Sequence, residues 1–161
     1  MGKNIMALGV QIFGMNPFGW RFMGTLFGVG LVPMMYLLGL KLFKRRTYAF
    51  AAAFLMMFDF MRLAQTRLAT IDSYSAFFII CMYYFMYEYM VKDYGRQKGT
   101  APKEFLIPLA LSGLSMAFGI ATKWTGVYAG IGLAVLLFWY TLSHFRGKDT
   151  FRLYGFCCIF F

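Results

Sequence analysis

Apolar positions along this chain fall into long runs separated by short polar connections, at 22–42, 48–64, 73–91, 105–122 and 126–142, with a sixth run opening at 153 and cut off at 161. Most hold about 17–21 residues, enough at 1.5 Å per residue for a helix to cross a hydrocarbon core of roughly 30 Å. The second run reaches that length only by continuing through Leu63 and Ala64, which carries Asp59 and Arg62 into or to the edge of the bilayer. Ahead of the first run, Ile5, Leu8 and Ile12 recur at helical spacing in the segment 4–15. As a helix that segment covers only about 18 Å, so it is predicted to lie in the outer interface without crossing. The pattern therefore predicts an all-α integral membrane fold, a multi-span helical bundle with an N-terminal interfacial helix, occupying 1–161 as one transmembrane domain. Gly24-x-x-x-Gly28 and Gly126-x-x-x-Gly130 predict close helix approach, and Pro33 a kink in the first span.

Composition strengthens the membrane reading. Hydrophobic residues make up 61% of the 161 residues and charged residues only 14%, well beyond the apolar share usual in soluble domains. The formal charge of +10 would raise nucleic acid as a partner in a soluble chain. Here the basic residues cluster between apolar runs, where they act as topology signals and contacts to membrane lipids, so no nucleic-acid partner is expected. Lys3, Arg21, Arg62, Arg67 and Lys123 fall in one set of alternate connections and the rest of the 16 basic residues in the other. By the positive-inside rule the richer set is cytoplasmic, and the N-terminus and the turns at 62–72 and 123–125 face outward.

The 3 cysteines lie in apolar stretches and form no disulfide framework, while the lone histidine, His144, excludes a His-rich metal site or a His-paired nucleophile within the chain. No phosphate loop, dinucleotide fingerprint or zinc-protease motif occurs, and no cofactor is identified. Participation of a divalent metal stays open. No signal peptide is visible at the start.

Candidate chemistry concentrates in Asp59-Phe-Met-Arg62-Leu-Ala-Gln-Thr-Arg67-Leu-Ala-Thr-Ile-Asp72-Ser73. Ionisable groups in or beside a bilayer need a partner or a wet cavity. Asp59 and Arg62, three apart on a helix, are placed to pair with each other. Arg67 and Asp72 would stand about 140° apart on one helix, so they are expected to bracket a turn. An arginine facing an outward cavity suits a phosphate through its planar donor fork, and equally a headgroup anchor. Lys123, beside Trp124 in a short outward turn, has the same two readings, with snorkelling as the simpler one. On the residues alone, a phospholipid-linked substrate and anion transport are both open.

The ordered set Asn16-Pro-Phe-Gly-Trp-Arg21, the Gly-rich span after it, Arg67-Leu-Ala-Thr-Ile-Asp72-Ser73 and Thr122-Lys-Trp-Thr-Gly126 resembles the protein O-mannosyltransferase family, a GT-C class of membrane glycosyltransferases. The resemblance runs from about Gly2 to Leu142. It implies transfer of mannose from a polyprenyl (dolichyl-type) phosphate to a Ser or Thr hydroxyl of an acceptor protein, with inversion. It also implies that the catalytic aspartate lies upstream, on a first outward loop whose Asp-Glu pair is followed by His-Pro-Pro-Leu-Gly-Lys. This chain opens Met1-Gly2-Lys3 at the corresponding place and is expected to be an internal fragment, inactive alone. Carried over by motif, Lys3, Arg67 and Lys123 are the candidate donor-phosphate contacts and Asp72 an orienting group. A glycosyltransferase acting on lipid A or a cell-wall polymer, and a non-enzymatic transporter module, are the alternatives. Short connections without an Asn-x-Ser/Thr site favour a bacterial plasma membrane over an endoplasmic reticulum.

Overall fold

The computed structural model describes residues 1–68, 70–94 and 103–144. Among them the chain is helical throughout, with no strand: α1 Gly2–Phe13, α2 Pro17–Phe43, α3 Arg46–Met57, α4 Phe60–Arg67, α5 Asp72–Tyr94, α6 Lys103–Thr122 and α7 Thr125–His144. The apolar run expected from 153 lies outside the described residues.

α2 begins five residues earlier than its apolar run because Asn16 is extended and Pro17 occupies the first turn, where a missing N–H costs nothing. It then continues as one helix through Pro33 and stops at Lys44, a left-handed residue whose N–H closes the last turn on the Leu40 carbonyl at 3.0 Å. By length and apolarity α2 is the one helix among the described residues fit to cross a membrane. A second qualifies if α3 and α4 are counted as one broken span, bent by 52°. That break departs from the single run expected over 48–64.

The break is built by the two charges that the sequence placed as a pair. Asp59 is the N-cap of α4, and its carboxylate accepts from the Met61 N–H at 3.1 Å. Arg62 turns the other way and donates Nε to the Met56 carbonyl at 2.8 Å and Nη2 to the Met57 carbonyl at 3.3 Å. Instead of pairing, the acid thus caps the start of one helix and the base the end of the previous one. Both placements follow the helix dipoles and supply backbone groups that the break has orphaned.

α2 packs on α1, α3, α4 and α5, and α5 packs most extensively on α6 and also on α2, α7 and α4. Hydroxyl groups lock α5 to α6, α7 and α2 by donating to helix carbonyls: Ser112 to Met82 at 3.0 Å, Tyr83 to Ala129 at 3.1 Å, Tyr87 to Lys41 at 3.0 Å and Tyr140 to Met90 at 3.0 Å. The best-buried apolar cluster, Met82, Met86, Tyr89, Leu109, Leu133 and Leu137, joins α5, α6 and α7 away from the Asp72 end. α1 lies against the start of α2 through Gly9, and its Leu8 and Ile12 stay exposed.

Candidate functional site

α4, the first turn of α5 and the α6–α7 turn converge at one end of the bundle. Two close approaches hold them there. A Cβ at Gly28 would lie 2.5 Å from the Thr66 methyl, so only glycine lets α4 rest on α2 in this way. A Cβ at Gly126 would lie 2.7 Å from the Gly119 carbonyl carbon, which fixes the tight entry from α6 into α7. The first and second glycine pairs read from the sequence thus each contain one residue that does require glycine. Gly130, by contrast, faces the flexible end of Met116.

Polar contacts join the elements that these approaches bring together. The Lys123 ammonium donates to the Asp72 carboxylate and forms an ion pair across the α5 start and the α6–α7 turn. Ser75 and Thr125 hydroxyls lie 3.3 Å apart beside it, and Thr66 and Ser73 hydroxyls 3.4 Å apart on the α4 side. Both partners of the ion pair remain partly exposed, at 41% for Lys123 and 31% for Asp72, so solvent screens it and its contribution to stability is small.

Arg67 closes α4 and Asp72 opens α5, so the two do bracket a turn. The guanidinium of Arg67 is exposed and, among the described residues, has neither a hydrogen bond nor an ion pair. It lines a cleft of about 510 Å3 between α2 and the α3–α4 break, together with Arg62, Thr25, Thr66, Val32 and Phe58. The two guanidinium groups and the Thr25 and Thr66 hydroxyls are the polar groups of an otherwise apolar lining. Such a lining suits a ligand with an anionic head and a hydrocarbon tail.

Lys3 is exposed on α1. Its neighbour Gly2 packs so tightly that a Cβ there would meet the Ile71 and Thr122 methyls at 2.9 and 3.0 Å. Because Ile71 and Thr122 directly precede Asp72 and Lys123, the fold brings all four sequence candidates to the same end. Within it the roles differ: Lys123 and Asp72 are committed to each other, whereas Arg67 carries an unspent donor fork. Sequence reasoning did not place Arg62 in the cleft, because it assigned that residue to Asp59. The signal was present in the spacing of Arg62, Leu63, Thr66 and Arg67, which share one helical face and all line the cleft. No cluster of three or more His, Cys, Asp or Glu suited to a metal occurs among the described residues.

The sequence matches the family described as dolichyl-phosphate-mannose-protein mannosyltransferase over residues 4–161. It is similar to the polyprenol-phosphate-mannose–protein mannosyltransferase of Mycobacterium tuberculosis, with 28% identity over 142 residues covering 80% of this chain. The protein of the same name from Corynebacterium glutamicum is 23% identical over 145 residues, again 80% of this chain. An uncharacterized protein of Aquifex aeolicus is 34% identical over 113 residues, 70% of this chain and 21% of its own length. The chain spans 27% of the length of the two mannosyltransferases. No solved structure matches it significantly.

Proposed function

Because the chain belongs to the dolichyl-phosphate-mannose-protein mannosyltransferase family, we propose that it forms part of a membrane glycosyltransferase moving mannose from a polyprenyl phosphate to Ser or Thr hydroxyls of proteins. The observation that carries the assignment of a site is the Arg67 guanidinium, which lines the α2–α4 cleft without a partner among the described residues. In this reading the lipid phosphate lies against Arg67, with Lys3 and Lys123 as further cations at the same end. Asp72 holds Lys123 in place. A carboxylate upstream of this chain takes the proton from the acceptor hydroxyl. The hydroxyl oxygen then bonds to the anomeric carbon as the bond from that carbon to the phosphate oxygen breaks. The departing phosphate gains negative charge, and a planar guanidinium stabilises it most where water is scarce.

The surroundings support a bilayer. Large apolar side chains face outward from several helices, among them Val29 at 64% exposure, Leu55 at 72% and Trp139 at 74%. We take these helices to form a GT-C type multi-span bundle in a bacterial plasma membrane, with α1 lying in its outer interface. The bacterial origin of the relatives named above supports that location.

The test needs the full-length protein in membranes. Arg67→Ala is expected to lower mannosyl transfer by about 10²–10³-fold, the usual loss when one donor to developing charge is removed. Expression and insertion should stay unchanged. Arg67→Lys is expected to recover little, since an ammonium cannot reproduce the two-pronged contact. Near wild-type transfer by the lysine variant would show Arg67 to be an interface anchor and would sink the phosphate assignment.

A further inference from the structure

Resting on that reading of Arg67, we infer that Arg62 is a positioning residue: it fixes the α3–α4 break against α2 and thereby sets where Arg67 stands in the cleft. The two arginines line the same cavity, yet their donors are used differently. Nε and Nη2 of Arg62 serve the Met56 and Met57 carbonyls at the end of α3, and Nη1 donates to the Gly28 carbonyl of α2 at 2.7 Å. One rigid fork therefore ties three carbonyls on two helices. Arg62 lies in the first turns of α4 and Arg67 at its last residue, about 7.5 Å further along the axis. Any swing of α4 about the break is carried directly to Arg67.

The carbonyls explain why the strut is required. If Asp59 did not cap α4 and Arg62 did not serve α3, the cheapest way to satisfy Met56 and Met57 would be ordinary helical bonds from the N–H groups of Phe60 and Met61. The segment would then straighten into one helix, and the 52° bend that turns Arg67 toward α2 would be lost. Thr66 supplies a second anchor against Gly28. That contact is steric and limits approach without preventing departure. The attraction holding α4 to α2 at this point is the hydrogen bond from Arg62. Lysine cannot substitute, because its donors share one nitrogen, whereas the Met56, Gly28 and Met57 carbonyls are each served by a different nitrogen of the planar fork.

Two measurements on the full-length protein in nanodiscs test this. Spin labels at Leu26 and Leu68, both exposed, report the distance between α2 and the end of α4. Arg62→Gln is expected to lengthen or broaden that distance by about 5 Å or more, the swing of an eight-residue helix about 12 Å long released from its bend. An unchanged distance in both Arg62→Gln and Arg62→Lys would overturn the inference. The second measurement is affinity for a polyprenyl phosphate without its sugar. Arg67→Ala and Arg62→Gln are each expected to weaken binding about 10-fold or more, and the double variant no further than Arg67→Ala alone, because Arg62 acts through Arg67. Losses that multiply would make Arg62 a ligand in its own right and overturn the positioning role. Unchanged affinity in Arg67→Ala would remove the donor reading instead, and the label distance would still decide whether Arg62 holds the break.

Discussion

At one end of α5, Met82, Met86 and Tyr89 pack with Leu109, Leu133 and Leu137 into a cluster that is almost wholly buried. At its Asp72 end the same helix meets its neighbours through paired hydroxyls, an ion pair and glycines pressed against side chains and backbone. Shape and volume organise the first end, and the satisfaction of polar groups organises the second. Packed apolar side chains can trade volume with one another at modest cost. Backbone carbonyls at a helix break admit few donors, and each must come from a given direction. The polar end is therefore the one where a single side chain, such as Arg62, can decide geometry.

The contrast breaks most visibly if the apolar cluster is opened. Leu133→Ala, at a residue 2% exposed, is expected to destabilise the protein by about 2–5 kcal/mol through lost burial and a residual cavity. Unfolding of the detergent-solubilised protein measures it. Transfer activity per folded molecule should stay near wild type, since the cluster lies away from Arg67. A large loss of activity in the still-folded variant would show that the two ends are coupled.

A smaller effect is expected at the α2–α4 contact. Gly28→Ala places a methyl about where the Thr66 side chain stands, and overpacking of this kind costs about 1–3 kcal/mol. Combining it with Thr66→Ser, which removes the closest methyl, should recover part of the loss, whereas independent sites would simply add. Unfolding curves of the two singles and the double decide between coupling and independence.

The smallest effect on stability belongs to the charge pair. Asp72→Asn is expected to change unfolding free energy by no more than about 1 kcal/mol, as for other solvent-screened pairs. The accompanying change should shrink as salt is raised. A destabilisation of several kcal/mol that salt does not touch would mean that Lys123 is buried in the assembled protein and that the pair belongs to its core.

The sequence by itself was enough to establish that the chain is helical, where most helices lie, that Arg67 and Asp72 flank a turn, and which family the chain resembles. These properties rest on local periodicity and short motifs, which need no knowledge of distant neighbours. It could not show that Asp59 and Arg62 would decline each other. Their spacing permits a pair on an unbroken helix, and only the bend, with α2 presenting the Gly28 carbonyl, makes orphaned backbone groups the better partners. Nor could it show that Lys123 would spend its charge on Asp72 while Arg67 kept its own. Those choices were made by tertiary structure, because a polar group in an apolar bundle takes whichever partner the packing of other elements brings within reach.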